Sequence, residues 1–195
     1  MRAVDYLMPG GRLSLVIPRF EHRPSQLQMA ELVQKTLEDD GVLLVEAGTG
    51  TGKTLAYLLP ALLSGQKVVV STGTKTLQDQ IMESDLPLLA NNLGVKVHAA
   101  CMKGLGNYLC LRRFDELRKS ALGAGGAVSR QLPIIESWRE SSPTGDRAEL
   151  DALGEDAPVW AHVLSSSETR IGARCSYFDD CFVTGMRKRA EEAQL

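Results

Sequence analysis

The sequence has 195 residues, 44% of them hydrophobic, which is enough apolar material for one large or two small domains. Its 22 basic and 24 acidic side chains leave a formal net charge of −2, so bulk charge gives no argument for nucleic acid and any such surface must be a local patch. No apolar run reaches the roughly 18 residues of a spanning helix, and Asp5, Arg12 and Pro18 break up the first twenty positions, so the expected setting is the cytoplasm with no membrane partner.

Residues 1–20 combine Pro9-Gly10-Gly11 with the alternating Leu13-Ser14-Leu15-Val16-Ile17, which reads as a turn and then a short strand or extended arm. From Pro24, the spacing of Leu27, Ala30, Leu32, Val33 and Leu37 predicts an amphipathic helix closed by Asp39-Asp40-Gly41. Arg23-Pro24-Ser25-Gln26 stands at its start, where a glutamine carboxamide can pair with both the ring acceptor and the exocyclic donor of adenine. Helix starts also use glutamine simply as a cap.

Next comes Val42-Leu43-Leu44-Val45-Glu46-Ala47-Gly48-Thr49-Gly50-Thr51-Gly52-Lys53-Thr54, a short apolar run, a glycine-rich turn and then Gly-Lys-Thr. That order predicts a buried strand, a phosphate loop and the first turn of a helix. Backbone N–H groups of residues 47–52 would ring a phosphate, Lys53 would neutralise the terminal phosphates, and the Thr54 hydroxyl would ligate Mg²⁺. Ala47 stands where the strict pattern has glycine, a mild departure. The loop makes a nucleotide the expected ligand, bound by Ala47, Gly48, Thr49, Gly50, Thr51, Gly52, Lys53 and Thr54 with Gln26 upstream.

Leu55–Leu63 continues as an apolar helix that Ser64-Gly65 ends, and Lys67–Thr72 reads as a second strand, completing a β-α-β crossover with a parallel sheet. The polar run 71–76 then lies at the strand's carboxyl end, the ligand edge of open α/β sheets, where Ser/Thr oxygens and backbone amides suit a phosphodiester chain. Thr74 or Thr76 equally suits the cap of a helix over Leu77–Ser84. Val95–Ala99 is a third strand candidate, with His98 a strand residue rather than a catalyst.

From Cys101 the character changes. Gly123-Ala124-Gly125-Gly126, Ser141-Ser142-Pro143 and Ser165-Ser166-Ser167 are loop signals, with helical patches near Val128–Arg139 and Ala148–Leu153, so this stretch reads as a mostly helical insertion in the α/β domain. Cys175 and Cys181 close the stretch that Cys110 opens, a layout that serves either a metal or cluster staple or plain buried thiols.

Taken in order, Arg-Pro-Ser-Gln (23–26), Glu-Ala-Gly-Thr-Gly-Thr-Gly-Lys-Thr (46–54), Val-Val-Val-Ser-Thr-Gly-Thr-Lys-Thr-Leu-Gln-Asp-Gln (68–80), Lys-Gly-x-x-Asn-Tyr-Leu-Cys (103–110) and Cys-x-Tyr-Phe-Asp-Asp-Cys-Phe-Val (175–183) resemble the N-terminal part of DinG/YoaA-type DNA helicases, bacterial relatives of the XPD helicase in superfamily 2. The resemblance implies a RecA-like parallel sheet with helices on both faces, interrupted by a mostly helical iron–sulfur-type insertion. Residues 1–100 would carry the Q motif, Walker A and motif Ia, 101–185 the insertion, and 186–195 the return to the motor domain. It implies catalytic roles for Lys53 and Thr54, an adenine-reading Gln26 beside Arg23, and Cys110, Cys175 and Cys181 as ligands of a 4Fe-4S cluster. It also implies ATP-driven, five-to-three-prime unwinding in DNA repair or replication, on single-stranded or forked DNA, by a monomer.

Two departures from that pattern matter. The family's remaining cluster cysteine should precede Cys175 by five positions, where this chain has Arg170, and a guanidinium has no lone pair to donate. The cluster is therefore expected to be impaired or absent. No Asp-Glu-Ala-His run occurs in these residues either, so this stretch is expected to bind nucleotide without turning it over, the rest of the helicase chain being its partner. A non-motor nucleotide-binding regulatory module is the alternative. Basic residues flank the cysteines, Lys103, Arg112, Arg113, Arg118 and Lys119 on one side and Arg187, Lys188 and Arg189 on the other, forming either a strand path or a solvated face balanced by nearby carboxylates.

Overall fold

The computed structural model describes residues 2–94, 96–120 and 126–195. The chain gathers into two compact units, one formed by Met1–Cys101 with Glu192–Leu195 and the other by Met102–Glu191.

In the first unit, α1 (Ala3–Leu7) and α2 (Arg12–Val16) are single helical turns; α2 replaces the strand expected from the alternation over 13–17. Only Leu13 of that run is fully buried, while Leu15 is 75% exposed, so one anchor rather than a two-sided pattern fixes the segment. The Ser14 hydroxyl donates to the Gly11 carbonyl and completes the turn. Helix α3 (Pro24–Glu38) forms as expected, with proline in its first turn and Asp40 in the left-handed region just past its end. Helix α4 (Lys53–Leu63) is apolar almost all round, and Ala56, Leu58, Leu59, Ala61 and Leu62 are all buried, which marks it as the central helix of this unit. Helix α3 packs on α4, and α1 packs on α3.

Beyond α4, α5 (Lys75–Gln80) starts at Thr74, whose Oγ1 accepts from the Leu77 amide at 3.3 Å. A π-helical turn, Ile81–Asp85, then joins α5 to α6 (Leu86–Leu93), so the helical stretch runs well past the expected Ser84. A π turn inserts an extra residue and rotates the helix beyond it, here swinging Leu86, Leu89 and Leu93 onto the core.

The parallel sheet is not formed among the described residues. The apolar runs at 42–46, 67–72 and 96–99 carry neither helix nor β-ladder, and Val95 of the third lies outside the described residues. Val42, Leu44 and Val69 are 94%, 93% and 88% exposed. Parallel strands are stable when both faces are covered, and here these side chains have no covering layer. Two of the runs are joined instead by the last two residues. Val68 donates to the Gln194 carbonyl at 2.8 Å, Gln194 to His98 at 2.7 Å, and Ala100 to Leu195 at 2.9 Å.

The second unit is mostly helical, with α7 (Leu111–Ser120), α8 (Ala127–Ser141), α9 (Trp160–Val163) and α10 (Phe182–Glu192). The patch expected over Ala148–Leu153 shrinks to a 3-10 turn at Arg147–Glu149, and residues 123–125 of the glycine run lie outside the described residues. Phe114, Leu109, Ile135, Val159 and Val163 are fully buried around Trp138 and Trp160, whose rings meet edge to face at 6.1 Å. Backbone bridges pair Tyr108 with Asp146 and Leu109 with Leu164. Beneath them Lys103 Nζ lies 2.8 Å from Asp146 Oδ2, a nearly buried ion pair, and Asp146 Oδ1 also caps the Ala148 amide. Arg139 lies over the Phe114 ring at 5.0 Å and pairs with both Asp115 and Glu136. Burial pushes the Asp115 carboxyl up, but the Tyr177 hydroxyl, Arg139 and Arg118 together hold it below its ordinary range.

Candidate functional site

The glycine-rich turn sits where the sequence places it, between residues 42–46 and the N-terminus of α4. Gly50 and Gly52 have φ of 76° and 78°, a left-handed conformation that side-chain-bearing residues rarely adopt. At Gly52 space matters too, because a Cβ there would lie 2.1 Å from Gln26 Nε2. The Thr51 hydroxyl donates to the Gly48 carbonyl at 3.0 Å and closes the turn on itself. Lys53 folds back over it, with Nζ 2.9 Å from the Ala47 oxygen and 2.5 Å from the Gly48 oxygen. One ammonium, an ordered turn of main chain and the positive end of an eleven-residue helix thus converge on a small volume, an arrangement suited to polyphosphate. Cβ atoms built at Gly48 or Gly50 would meet nothing within 4 Å, so the chain itself leaves that side open.

The other expected ligand-binding residues are placed less directly. Gln26 is 6% exposed and donates through Nε2 to the Gly52 carbonyl at 3.0 Å. Its carboxamide therefore braces the turn, a contact that sequence reasoning did not foresee. Arg23 is held by Glu21 at 2.7 Å. Thr49 is exposed. Thr54 lies in the first turn of α4, three residues before Tyr57. Burial raises the Tyr57 phenol above its usual range, with the Thr54 side chain opposing the rise and the Asp85 carboxylate adding to it. Burial likewise raises Asp85 itself, offset in part by Gln80. Tyr57 and Asp85 were missed, although Tyr57 is the lone polar side chain between Thr54 and Ser64 in an apolar helix and could have been singled out on that ground.

A first test comes from the brace. Gln26→Ala removes a hydrogen bond from a nearly buried carboxamide to the half-buried Gly52 carbonyl and should weaken nucleotide affinity by about 5- to 20-fold, roughly 1–2 kcal/mol, while leaving the helical content unchanged. A calorimetric titration alongside far-ultraviolet circular dichroism measures both.

In the second unit the cysteines stay apart from any complete ligand set. Cys110, Cys175 and Cys181, like Cys101 of the first unit, are half-buried thiols, and no group of three or more His, Cys, Asp or Glu side chains gathers to hold a metal ion among the described residues. Cys110 precedes α7 and accepts the Phe114 amide, Cys175 follows the 3-10 turn Gly172–Arg174, and Cys181 precedes α10 and accepts the Gly185 amide. Arg170, at the position where the resemblance wants a thiol, is half-buried. The hydrogen bond from Glu116 raises the Arg112 guanidinium above its ordinary range, against a smaller opposing effect of burial.

The basic residues divide sharply. Lys103 is paired with Asp146, Arg112 with Glu116 and Arg118 with Glu136, while Arg113 donates to the Leu164 and Ala161 carbonyls at the end of α9. Lys103, Arg112 and Arg113 are committed to the fold of this unit, whereas Arg118 is exposed beside its partner. Lys119, Arg187, Lys188 and Arg189 are exposed.

Comparison with known proteins agrees with the loop geometry. Residues 23–122 match the DEAD/DEAH box helicase family. The chain is similar to the ATP-dependent DNA helicase YoaA of Haemophilus influenzae, with 40% identity covering 95% of this chain and 29% of that protein. It is similar to the ATP-dependent DNA helicase YoaA of Escherichia coli, with 41% identity over 98% of this chain and 30% of that protein. The ATP-dependent helicase DinG of Mycobacterium tuberculosis is 35% identical over 89% of this chain and 29% of its own length. The chain thus spans about three tenths of the length of these relatives.

Proposed function

The chain belongs to the DEAD/DEAH box helicase family, and from that premise we propose that it is the nucleotide-binding part of an ATP-dependent DNA helicase, with residues 46–54 clasping Mg²⁺-ATP. The observation that carries this reading is the turn itself. Lys53, aimed by α4 and presently satisfied by two loop carbonyls, can exchange them for β- and γ-phosphate oxygens without moving its backbone. Thr54 would offer its hydroxyl to Mg²⁺ in the same step, and Gln26 would hold Gly52 in place while its other face meets adenine.

Residues 101–185 are the helicase's insertion in this reading, and single-stranded or forked DNA is the partner. Arg187, Lys188 and Arg189 supply the phosphate contacts, because their charges are exposed whereas Lys103, Arg112 and Arg113 are spent within the unit. These 195 residues alone bind nucleotide without hydrolysing it, since the acidic Mg²⁺-holding box does not occur among them. Unwinding in the five-to-three-prime direction, in repair or replication, is the activity proposed for the whole protein.

Two titrations test the reading, one with Mg²⁺-ATP by calorimetry and one with a fluorescent oligonucleotide by anisotropy across a salt series. Replacing Arg187, Lys188 and Arg189 together by alanine should weaken DNA binding and flatten the log–log salt slope by about 0.7 for each phosphate no longer neutralised. Nucleotide affinity should not change. An unaltered salt slope would move the DNA path elsewhere.

A further inference from the structure

The family resemblance calls for a four-thiol cluster pinning the second unit together, and the residues present do not fit one. Cys110, Cys175 and Cys181 are one donor short of the Cys₄ set such a cluster takes, Arg170 brings no lone pair, and no metal-holding group of three forms among the described residues. What such a cluster would accomplish mechanically is to tie the start of α7 to the loop over residues 166–181.

Protein contacts already make that tie. Arg112 Nη1 lies 2.6 Å from Glu116 Oε1 within α7, while Nη2 donates to the Thr169 carbonyl at 2.9 Å, across 57 positions of sequence. The loop that receives it is shaped by its own bonds, the Ser166 and Thr169 amides each donating to the other residue's hydroxyl. Cys110 itself is fixed through its backbone, its amide donating to the Val163 carbonyl at 2.8 Å. Further along, the Tyr177 hydroxyl donates to Asp115 Oδ2 at 2.5 Å and attaches the segment between Cys175 and Cys181 to the middle of α7. A planar guanidinium can serve a carboxylate and a carbonyl at once, which a lysine ammonium on a flexible stem does less well.

We propose that the second unit folds without iron, with Arg112 as the clamp that does the joining work of a cluster in this chain. The proposal borrows from the helicase reading only the expectation of a cluster. Its test reads iron and unfolding, neither of which depends on nucleotide or DNA, so either idea can fail alone.

The whole chain is purified without exposure to air, its iron is assayed together with absorbance near about 400 nm, and heat unfolding is followed by tryptophan fluorescence with and without an iron chelator. Both tryptophans, Trp138 and Trp160, lie in this unit's core, so the signal reports on it specifically. Expected are iron well below one cluster per chain, a midpoint indifferent to chelator, and a triple Cys110→Ser, Cys175→Ser, Cys181→Ser variant within about 3 °C of the parent. Arg112→Ala should lower the midpoint by about 4–8 °C, and Arg112→Lys should recover part of that loss. Stoichiometric iron whose removal abolishes the native tryptophan signal would overturn the proposal, as would a triple serine variant that loses as much as Arg112→Ala. If Arg112→Ala does not fold, the iron content and chelator response of the unsubstituted chain decide.

Discussion

Lys53→Ala is expected to lower Mg²⁺-ATP affinity by about 10²- to 10³-fold, the range for truncating one partner of a desolvated charge-assisted contact. Its ammonium is a charged donor that lies over the turn and touches the Ala47 and Gly48 carbonyls. Without it, a polyphosphate would meet only backbone amides and the partial charge of the α4 terminus, which together are worth much less than a full cation. The core should survive the change. Alanine is at least as good a helix former as lysine, and α4 is held by Ala56, Leu58, Leu59 and Leu62, none of which contacts the ammonium. Calorimetric titration of the variant beside the parent, with circular dichroism as the control for folding, gives the ratio directly. Equal affinities would remove the turn from the nucleotide site.

Gly145→Ala should be the most damaging single methyl in the second unit, costing about 3 kcal/mol or more through backbone strain and overpacking together. Gly145 has φ of 67°, and a Cβ there would fall 2.2 Å from Cγ of the Phe182 ring, whose position is fixed by the core around Trp160 and Val163. The ring cannot yield without pulling on α10, and the backbone cannot yield without releasing the Leu109 amide from the Gly145 carbonyl at 2.9 Å. Asp146 comes immediately after, so any displacement also strains the buried pair with Lys103. Urea unfolding monitored by tryptophan emission should show a midpoint shifted well below that of the parent. A shift smaller than that of a typical surface substitution, about 0.5 kcal/mol, would mean that Phe182 is more loosely held than its packing indicates.

How much of this was readable from residues alone depended on whether the signal was local. Pro24, the apolar spacing to Leu37 and the glycine pair at 50 and 52 act within a turn or two of themselves, and α3, the loop and α4 all form where those residues predict. Strand patterning is different, because a parallel strand exists only when its neighbours and covering helices do. Val42, Leu44 and Val69 carry the right residue types but no ladder. Leu13–Ile17 shows the same limit at short range, its alternation overridden by a single buried leucine.

At the site, residue identity pointed to the loop but not to the bracing contact. That Gln26 would turn its amide to Gly52 depends on how α3 settles on α4, which spacing does not encode. The basic residues made the point most clearly. Eight looked equivalent in sequence, and only packing showed that Lys103, Arg112 and Arg113 spend their charge on Asp146, Glu116 and backbone carbonyls.

The bare valines and leucine at 42, 44 and 69 also carry a practical consequence for anyone handling this polypeptide. Uncovered β-forming side chains are adhesive, and two molecules meeting along such a stretch can zip into intermolecular sheet. Concentrated stocks should therefore cloud on storage, faster in sulfate than in chloride, since sulfate strengthens apolar association.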